Sequence, residues 1–197
     1  MRRLILASTS KYRRELLSRL GLPFEAVTPL FDEDAEKPKL GALAPEALVA
    51  YLARMKAESL ADTFPDAVII GSDQAVDLDG EVLGKPGTEE RAVAQLMRLS
   101  GRTHRLLTAV AVHDAARRMT EQALDVHEVE MRRFGEREAR AYVAREQPLD
   151  CAGSLKVEGL GVALLERLTG DDFTAVIGLP LTRVVSLLAR LGIEVFR

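Results

Sequence analysis

Apolar positions along the chain change period repeatedly, and the changes mark alternating strands and helices. Arg3 to Ala7 is a short apolar run that predicts a buried strand, and Ser8-Thr9-Ser10 then offers hydroxyl caps for a helix over 11–20. Leu16, Leu17 and Leu20 mark its inner face, and Gly21 stands where a glycine C-cap is expected. Phe24 to Thr28 reads as a second strand, and 29–43, with Asp32, Glu33 and Asp34, as a polar loop. Pro45 suits the first turn of a helix, where its missing N–H is not needed. Leu48, Tyr51, Leu52 and Met55 keep helical spacing, and the element is expected to reach Phe64.

Ala67 to Gly71 is a strongly apolar strand expected to end in Ser72-Asp73-Gln74, and Asp79-Gly80 carries a hairpin signal. A helix from Thr88 to Leu99 stops near Gly101. Two extended stretches, 103–113 and 122–134, are expected to pair. Glu136 to Glu146 is helical and Pro148 closes it; 150–178 is rich in glycine, and Pro180 opens a last helix reaching Leu191. There is no internal repeat and no low-complexity linker. The alternation gives an α/β class.

At 197 residues the chain fits one large domain or one domain with two lobes, and 47% hydrophobic residues suffice for a sizeable core. Basic and acidic residues, 27 and 30, nearly cancel to a net charge of -3. That balance argues against a dedicated nucleic-acid-binding protein, which needs a broad basic surface, but a local cation cluster could hold a small anion. Cys151 is the single cysteine, so no intramolecular disulfide forms and a reducing compartment fits best. The short apolar run within the N-terminal segment Met1 to Ala7 is too brief for a signal peptide, and no stretch approaches a membrane span. The cytoplasm is the expected compartment.

Three places carry candidate chemistry, and a fourth lies beside an apolar stripe. Lys11, Arg13 and Arg14 crowd the start of a helix, where the macrodipole repels cations. An anion held by backbone N–H groups, the Ser8 and Ser10 hydroxyls and the guanidinium groups would explain them; the alternative is that they extend into water, with Glu15 offsetting part of the cost. Asp73, at the C-terminal edge of an apolar strand, is placed for a general base or a metal ligand, or for capping nearby amides. Lys85, in Gly84-Lys85-Pro86-Gly87, lies on a constrained turn that lacks Walker spacing; it either aims at a phosphate or is solvated. Lys56 flanks an apolar stripe, and snorkelling to solvent is its ordinary reading. His104, His113 and His127 lack metal-ligand spacing and read as structural, and Cys151 reads as a small core residue.

In order along the chain, these pieces resemble the Maf family of nucleotide pyrophosphatases. The matching stretches are Leu6-Ala7-Ser8-Thr9-Ser10-Lys11-Tyr12-Arg13-Arg14-Glu15-Leu16-Leu17, Asp32-Glu33, Ala53-Arg54-Met55-Lys56-Ala57 and Ile69-Ile70-Gly71-Ser72-Asp73-Gln74. They continue through Gly84-Lys85-Pro86, Leu99-Ser100-Gly101-Arg102-Thr103-His104, Cys151-Ala152-Gly153-Ser154 and Val176-Ile177-Gly178-Leu179-Pro180-Leu181. The resemblance implies an α/β fold similar to inosine triphosphate pyrophosphatases. It would be a mixed central sheet with flanking helices, with residues 1–197 forming a single domain of two lobes around a cleft. It implies hydrolysis of a nucleoside triphosphate to monophosphate and pyrophosphate, assisted by a divalent metal cation such as Mg2+ or Mn2+. By resemblance Asp73 is the catalytic proton acceptor, Ser8, Arg13, Arg14, Lys56 and Lys85 bind phosphates, and Glu33 holds the metal with Asp73. A homodimer is compatible with the family; nucleic acid and membrane partners are not expected.

Three positions depart from the pyrimidine-specific branch, and Tyr12, Gln74 and Glu158 look instead like the branch that hydrolyses 7-methyl-GTP. Methylation at N7 makes guanine cationic. An aromatic face such as that of Tyr12 attracts a cation by ~0.5–2 kcal/mol. A glutamate accepts from the guanine N1–H and exocyclic amine, and its charge favours the cationic base. Against these roles, Tyr12 with Leu16 and Leu20 could be core and Glu158 a surface residue. The competing functions are a dTTP or UTP pyrophosphatase of the same family, and a nucleotide-binding regulator of cell division with little turnover. The intact set Arg13, Glu33, Lys56, Asp73 and Lys85 argues against the second.

Overall fold

Local caps and turns set the element boundaries. In the computed structural model, which describes residues 2–41 and 43–196, strand β1 (Leu4–Ala7) is wholly buried and leads into helix α1 (Lys11–Ser18). The Ser10 hydroxyl caps α1 by accepting from the Arg13 N–H at 3.4 Å. Strand β2 (Glu25–Val27), helix α2 (Glu33–Leu40) and helix α3 (Pro45–Glu58) follow. The long strand β3 (Val68–Leu78) turns back through Asp79 and Gly80, both at positive φ, into β4 (Glu81–Leu83). Helix α4 (Glu89–Leu99), strands β5 (Thr103–Asp114) and β6 (Met119–Met131), and helix α5 (Glu136–Glu146) come next. Two short 3-10 segments, strand β7 (Leu165–Thr169), helix α6 (Phe173–Ile177) and helix α7 (Leu181–Arg190) complete the chain.

The strands form a seven-stranded mixed sheet in the order β2-β1-β3-β5-β6-β7, with β4 paired to β3 off that path. β1 runs parallel to both β2 and β3, whereas β4 on β3 and β7 on β6 are antiparallel. The chain divides into two compact units: Met1–Asp73, Thr108–Asp125 and Asp172–Arg197 make the first, and Gln74–Leu107 with Val126–Asp171 the second. In the first, Leu4, Leu6, Leu16, Leu17, Val68, Ile70 and Val110 share a core with Val184, Leu187 and Leu188 of α7. In the second, α4 buries Ala92, Val93, Leu96 and Leu99, and packs on α5, which buries Ala139, Tyr142 and Val143. Among the described residues no helix is long and apolar enough to cross a membrane.

The structure departs from several expectations. The predicted 29–43 loop contains α2, whose N-terminus is capped by Asp32 accepting from the Ala35 N–H at 3.1 Å. Its mostly charged sequence carries almost no apolar period, so the cap is its main signal. Met1, Ala42 and Arg197, from the N-terminal segment, that loop and the C-terminal end, lie outside the described residues. Helix α3 stops at Glu58 rather than Phe64, because the backbone then tightens into turns such as Leu60 N–H to Ala57 O and Ala61 N–H to Glu58 O. Its buried stripe is Val49, Leu52, Ala53 and Ala57, so only Leu52 of the four predicted positions belongs to it. Tyr51 and Met55 instead line a hollow of about 400 Å³ with Leu30 and Phe31. Strand β6 ends at Met131, short of residue 134. Cys151 is partly exposed rather than core.

Candidate active site

The site begins with a close approach of helix to strand. A Cβ on Gly71 would lie 2.2 Å from the Ala53 carbonyl oxygen and 2.7 Å from the Ala57 amide nitrogen, so only glycine lets α3 sit this near β3. Side chains two apart on a strand share a face, so Asp73 points to the same side as the Gly71 contact. There Lys56, one residue before Ala57, donates from Nζ to Asp73 Oδ1 at 2.5 Å. The same ammonium lies 3.0 Å from Glu33 Oε2 at the start of α2. Lys56 thus does not snorkel outward; its side chain is 14% exposed, and both carboxylates claim its head.

Asp73 also departs from its expected place. It lies inside the eleven-residue β3 rather than at the strand's end, because the strand runs on to pair with β4 from Val76. Its parallel register with β1 reaches Ile70 opposite Leu6. The carboxylate therefore stands between the stretch of β3 in register with β1 and the stretch in register with β4.

Arg13 completes the cluster. Its Nε donates to the Gly178 carbonyl at 2.8 Å, which fixes the direction of the guanidinium. The buried Ser72 hydroxyl reaches the Ala109 and Gly178 carbonyls, at 2.8 and 3.0 Å, and ties the same loop to β3. Burial pulls the Arg13 guanidinium below its ordinary value, while Asp73 and then Glu33 push it back up. Desolvation raises the Asp73 carboxyl above its usual 3.8, opposed by Lys56 and Arg13 and reinforced by Glu33. Two cations and two carboxylates therefore act on one another at a single point. Ser8 is buried at the end of β1, its Oγ accepting from the Ser10 N–H at 3.1 Å. Arg14 is exposed on α1, and Tyr12 is partly exposed with the Lys11 ammonium 4.9 Å from its ring centre.

Gln74, Lys85 and Glu158 belong to the second unit. Gln74 is half-buried on β3. Lys85 is exposed on a loop braced from both sides. The Gly84 carbonyl accepts from Gln95 Nε2 at 3.1 Å and from the Gly153 N–H at 3.3 Å, and the Gly87 N–H donates to the Leu149 carbonyl at 3.1 Å. Glu158 is exposed, and partial desolvation nonetheless raises its carboxyl above the usual 4.5, with Lys156 pulling down and Glu146 and Asp150 pushing up.

The Gly178 carbonyl, which aims Arg13, gives no signal in the sequence, because a backbone acceptor has no side chain to read. Of the histidines, His113 shares a hydrogen bond with Thr120 Oγ1 at 2.8 Å, and Thr120 in turn donates to Glu58. His104 is buried, with neither ring nitrogen hydrogen-bonded among the described residues. Among those residues no group of three or more His, Cys, Asp or Glu is assembled for a metal.

Known proteins share this arrangement of sequence. A relative from Syntrophotalea carbinolica, named 7-methyl-GTP pyrophosphatase, is 48% identical over 196 residues, covering 99% of this chain and 98% of its own. Relatives of the same name from Pseudomonas aeruginosa and Xanthomonas campestris are 47% and 50% identical over 192 residues. Each alignment covers 98% of this chain, and 98% and 97% of the respective relatives. A solved HAM1 protein from Coxiella burnetii superposes with a TM-score of 0.44 at 16% identity, over 68% of this chain and 75% of that one. The profile described as Maf-like protein matches residues 3–191, and the chain therefore belongs to the Maf family.

Proposed function

We propose that the protein hydrolyses 7-methyl-GTP between its α and β phosphates, giving 7-methyl-GMP and pyrophosphate. The observation that carries the chemistry is the Lys56 ammonium shared by Asp73 and Glu33, with Arg13 acting on both carboxylates. The substrate is supported by the names of the full-length relatives and by Tyr12, Gln74 and Glu158.

A triphosphate repels an incoming water oxygen, so cations must first offset its charge. Arg13 and Lys56 supply that offset, with Ser8, Arg14 and Lys85 as further phosphate contacts. Asp73, shielded from bulk water, accepts the proton of the attacking water. Two carboxylates of the hard-oxygen type suit Mg2+ or Mn2+, with phosphate and water oxygens completing the shell. Held by Glu33 and Asp73, such an ion would supply Lewis-acid neutralisation of the phosphates. Tyr12 offers a ring face that already attracts one cation, Lys11, and Glu158 an exposed carboxylate for the guanine N–H groups. The single Cys151 accords with work in the reducing cytoplasm.

The test is pyrophosphate release from a panel of triphosphates. Strong preference for 7-methyl-GTP over GTP is expected, and preference for dTTP or UTP would overturn the base assignment. Asp73→Asn should lower kcat by roughly 10²–10⁴, the range for a positioned acid–base group. Undiminished turnover would remove Asp73 from the mechanism.

A further inference from the structure

Glu158 sits on a short turn whose two sides are fastened to one carboxylate. The turn closes on itself through the Gly159 and Gly161 N–H groups, which donate to the Lys156 carbonyl at 3.2 and 3.0 Å. Glu146, the last residue of α5, accepts from Lys156 Nζ at 2.7 Å on one oxygen and from the Leu160 N–H at 2.8 Å on the other. One helical turn earlier, the Tyr142 hydroxyl accepts from the Lys156 N–H at 2.9 Å. A Cβ on Gly159 would lie 2.7 Å from both Glu146 oxygens, so the turn rests directly on that carboxylate. The Glu146 side chain is 12% exposed, while Glu158 between the anchors is left exposed.

The arrangement also manages charge. Lys156 is two residues from Glu158 and within electrostatic reach of it. An ammonium released there would pair with Glu158 and neutralise the carboxylate that a cationic base requires. Glu146 holds that ammonium at 2.7 Å, and Lys156 acts on Glu158 electrostatically.

We infer that Glu146 is a positioning residue for base selection: it fixes the turn that carries Glu158 and keeps Lys156 from neutralising it. This role rests on the proposed recognition of the base by Glu158, and the test separates the two. Steady-state rates on 7-methyl-GTP and GTP are compared for Glu146→Gln, Lys156→Met, the double variant and Glu158→Gln. Glu146→Gln should raise KM for 7-methyl-GTP about tenfold, as expected when one charge-assisted contact is weakened, and that for GTP by less, since GTP shares the N–H contacts but not the positive charge, with kcat little changed. The double variant should recover most of the lost selectivity, because the competing charge is gone. A merely structural role predicts no recovery, and that result overturns the inference. Selectivity retained in Glu146→Gln but lost in Glu158→Gln also overturns it while sparing the base reading. Selectivity retained in Glu158→Gln removes the base reading and this role together. Should Glu146→Gln fail to fold, Tyr142→Phe, which deletes only the acceptor for the Lys156 N–H, should shift the same KM in the same direction. An unchanged KM there counts against the role.

Discussion

Asp73 and Glu158 are both carboxyls raised by desolvation, but their neighbours separate them. Asp73 has Lys56 and Arg13 pulling against burial and Glu33, whereas Glu158 has its own backbone N–H and one lysine pulling against burial and two further acids. The raised value means that Glu158 gains its proton at a higher pH than an ordinary glutamate. As pH falls towards that value from above, the negative charge is lost and with it the preference for a cationic base. The ratio of kcat/KM for 7-methyl-GTP to that for GTP should therefore decline on acidification, beginning above pH 4.5, the usual glutamate value. Taking the ratio cancels groups that serve both substrates, Asp73 among them. Glu158→Gln should flatten it; a flat ratio in the unaltered protein would show that the charge of Glu158 is not what selects the base.

The contact of α3 with β3 is the element-scale feature on which the cluster depends. Gly71→Ala would set a methyl group against backbone atoms of Ala53 and Ala57 that cannot rotate away. Overpacking of this kind costs about 1–3 kcal/mol, so the urea midpoint should fall. Because the helix must shift, Lys56 should also leave Asp73, and kcat/KM should drop with stability; an unchanged kcat/KM would separate the packing from the site. Much of this scale was legible in the sequence. Serine and threonine caps, Pro45, Asp79-Gly80 and Pro180 each marked a boundary through local chemistry. The phase of α3 was not legible, since apolar residues lie on two sides of it and only one meets β3. Helix α2 was missed because its sequence is nearly all polar. For the site, residue pattern alone left Lys56 snorkelling and Asp73 at a strand edge as base, metal ligand or cap; the family resemblance chose among the roles of Asp73 and supplied that of Lys56. Their meeting depends on Gly71, a tertiary contact that no local period encodes. Glu146 read simply as a helix end, although its place before Gln147-Pro148 was visible in the sequence.

Across the whole molecule, acid stability should carry the mark of His104. Burial lowers its pKa from 6.5 to about 4, so the unfolded chain takes up a proton in a range where the folded chain does not. Stability is therefore undiminished by this residue above pH 6.5 and declines as pH falls from there to about 4. The loss is on the order of 3 kcal/mol by linkage. Urea midpoints measured from pH 7 to 5 should fall less in His104→Leu than in the unaltered protein, and parallel slopes would show that another group governs the decline. Neither compact unit is continuous in sequence: the first is assembled from three segments and the second from two. Leu4 and Leu6 of β1 share their core with Leu187 and Leu188 of α7. At ~5–20 residues per second, ribosomal synthesis separates those partners by roughly ten to forty seconds. Leu16 and Leu17 can shield the earliest strand soon after it is made, but the share of its cover that α7 supplies arrives only as synthesis ends.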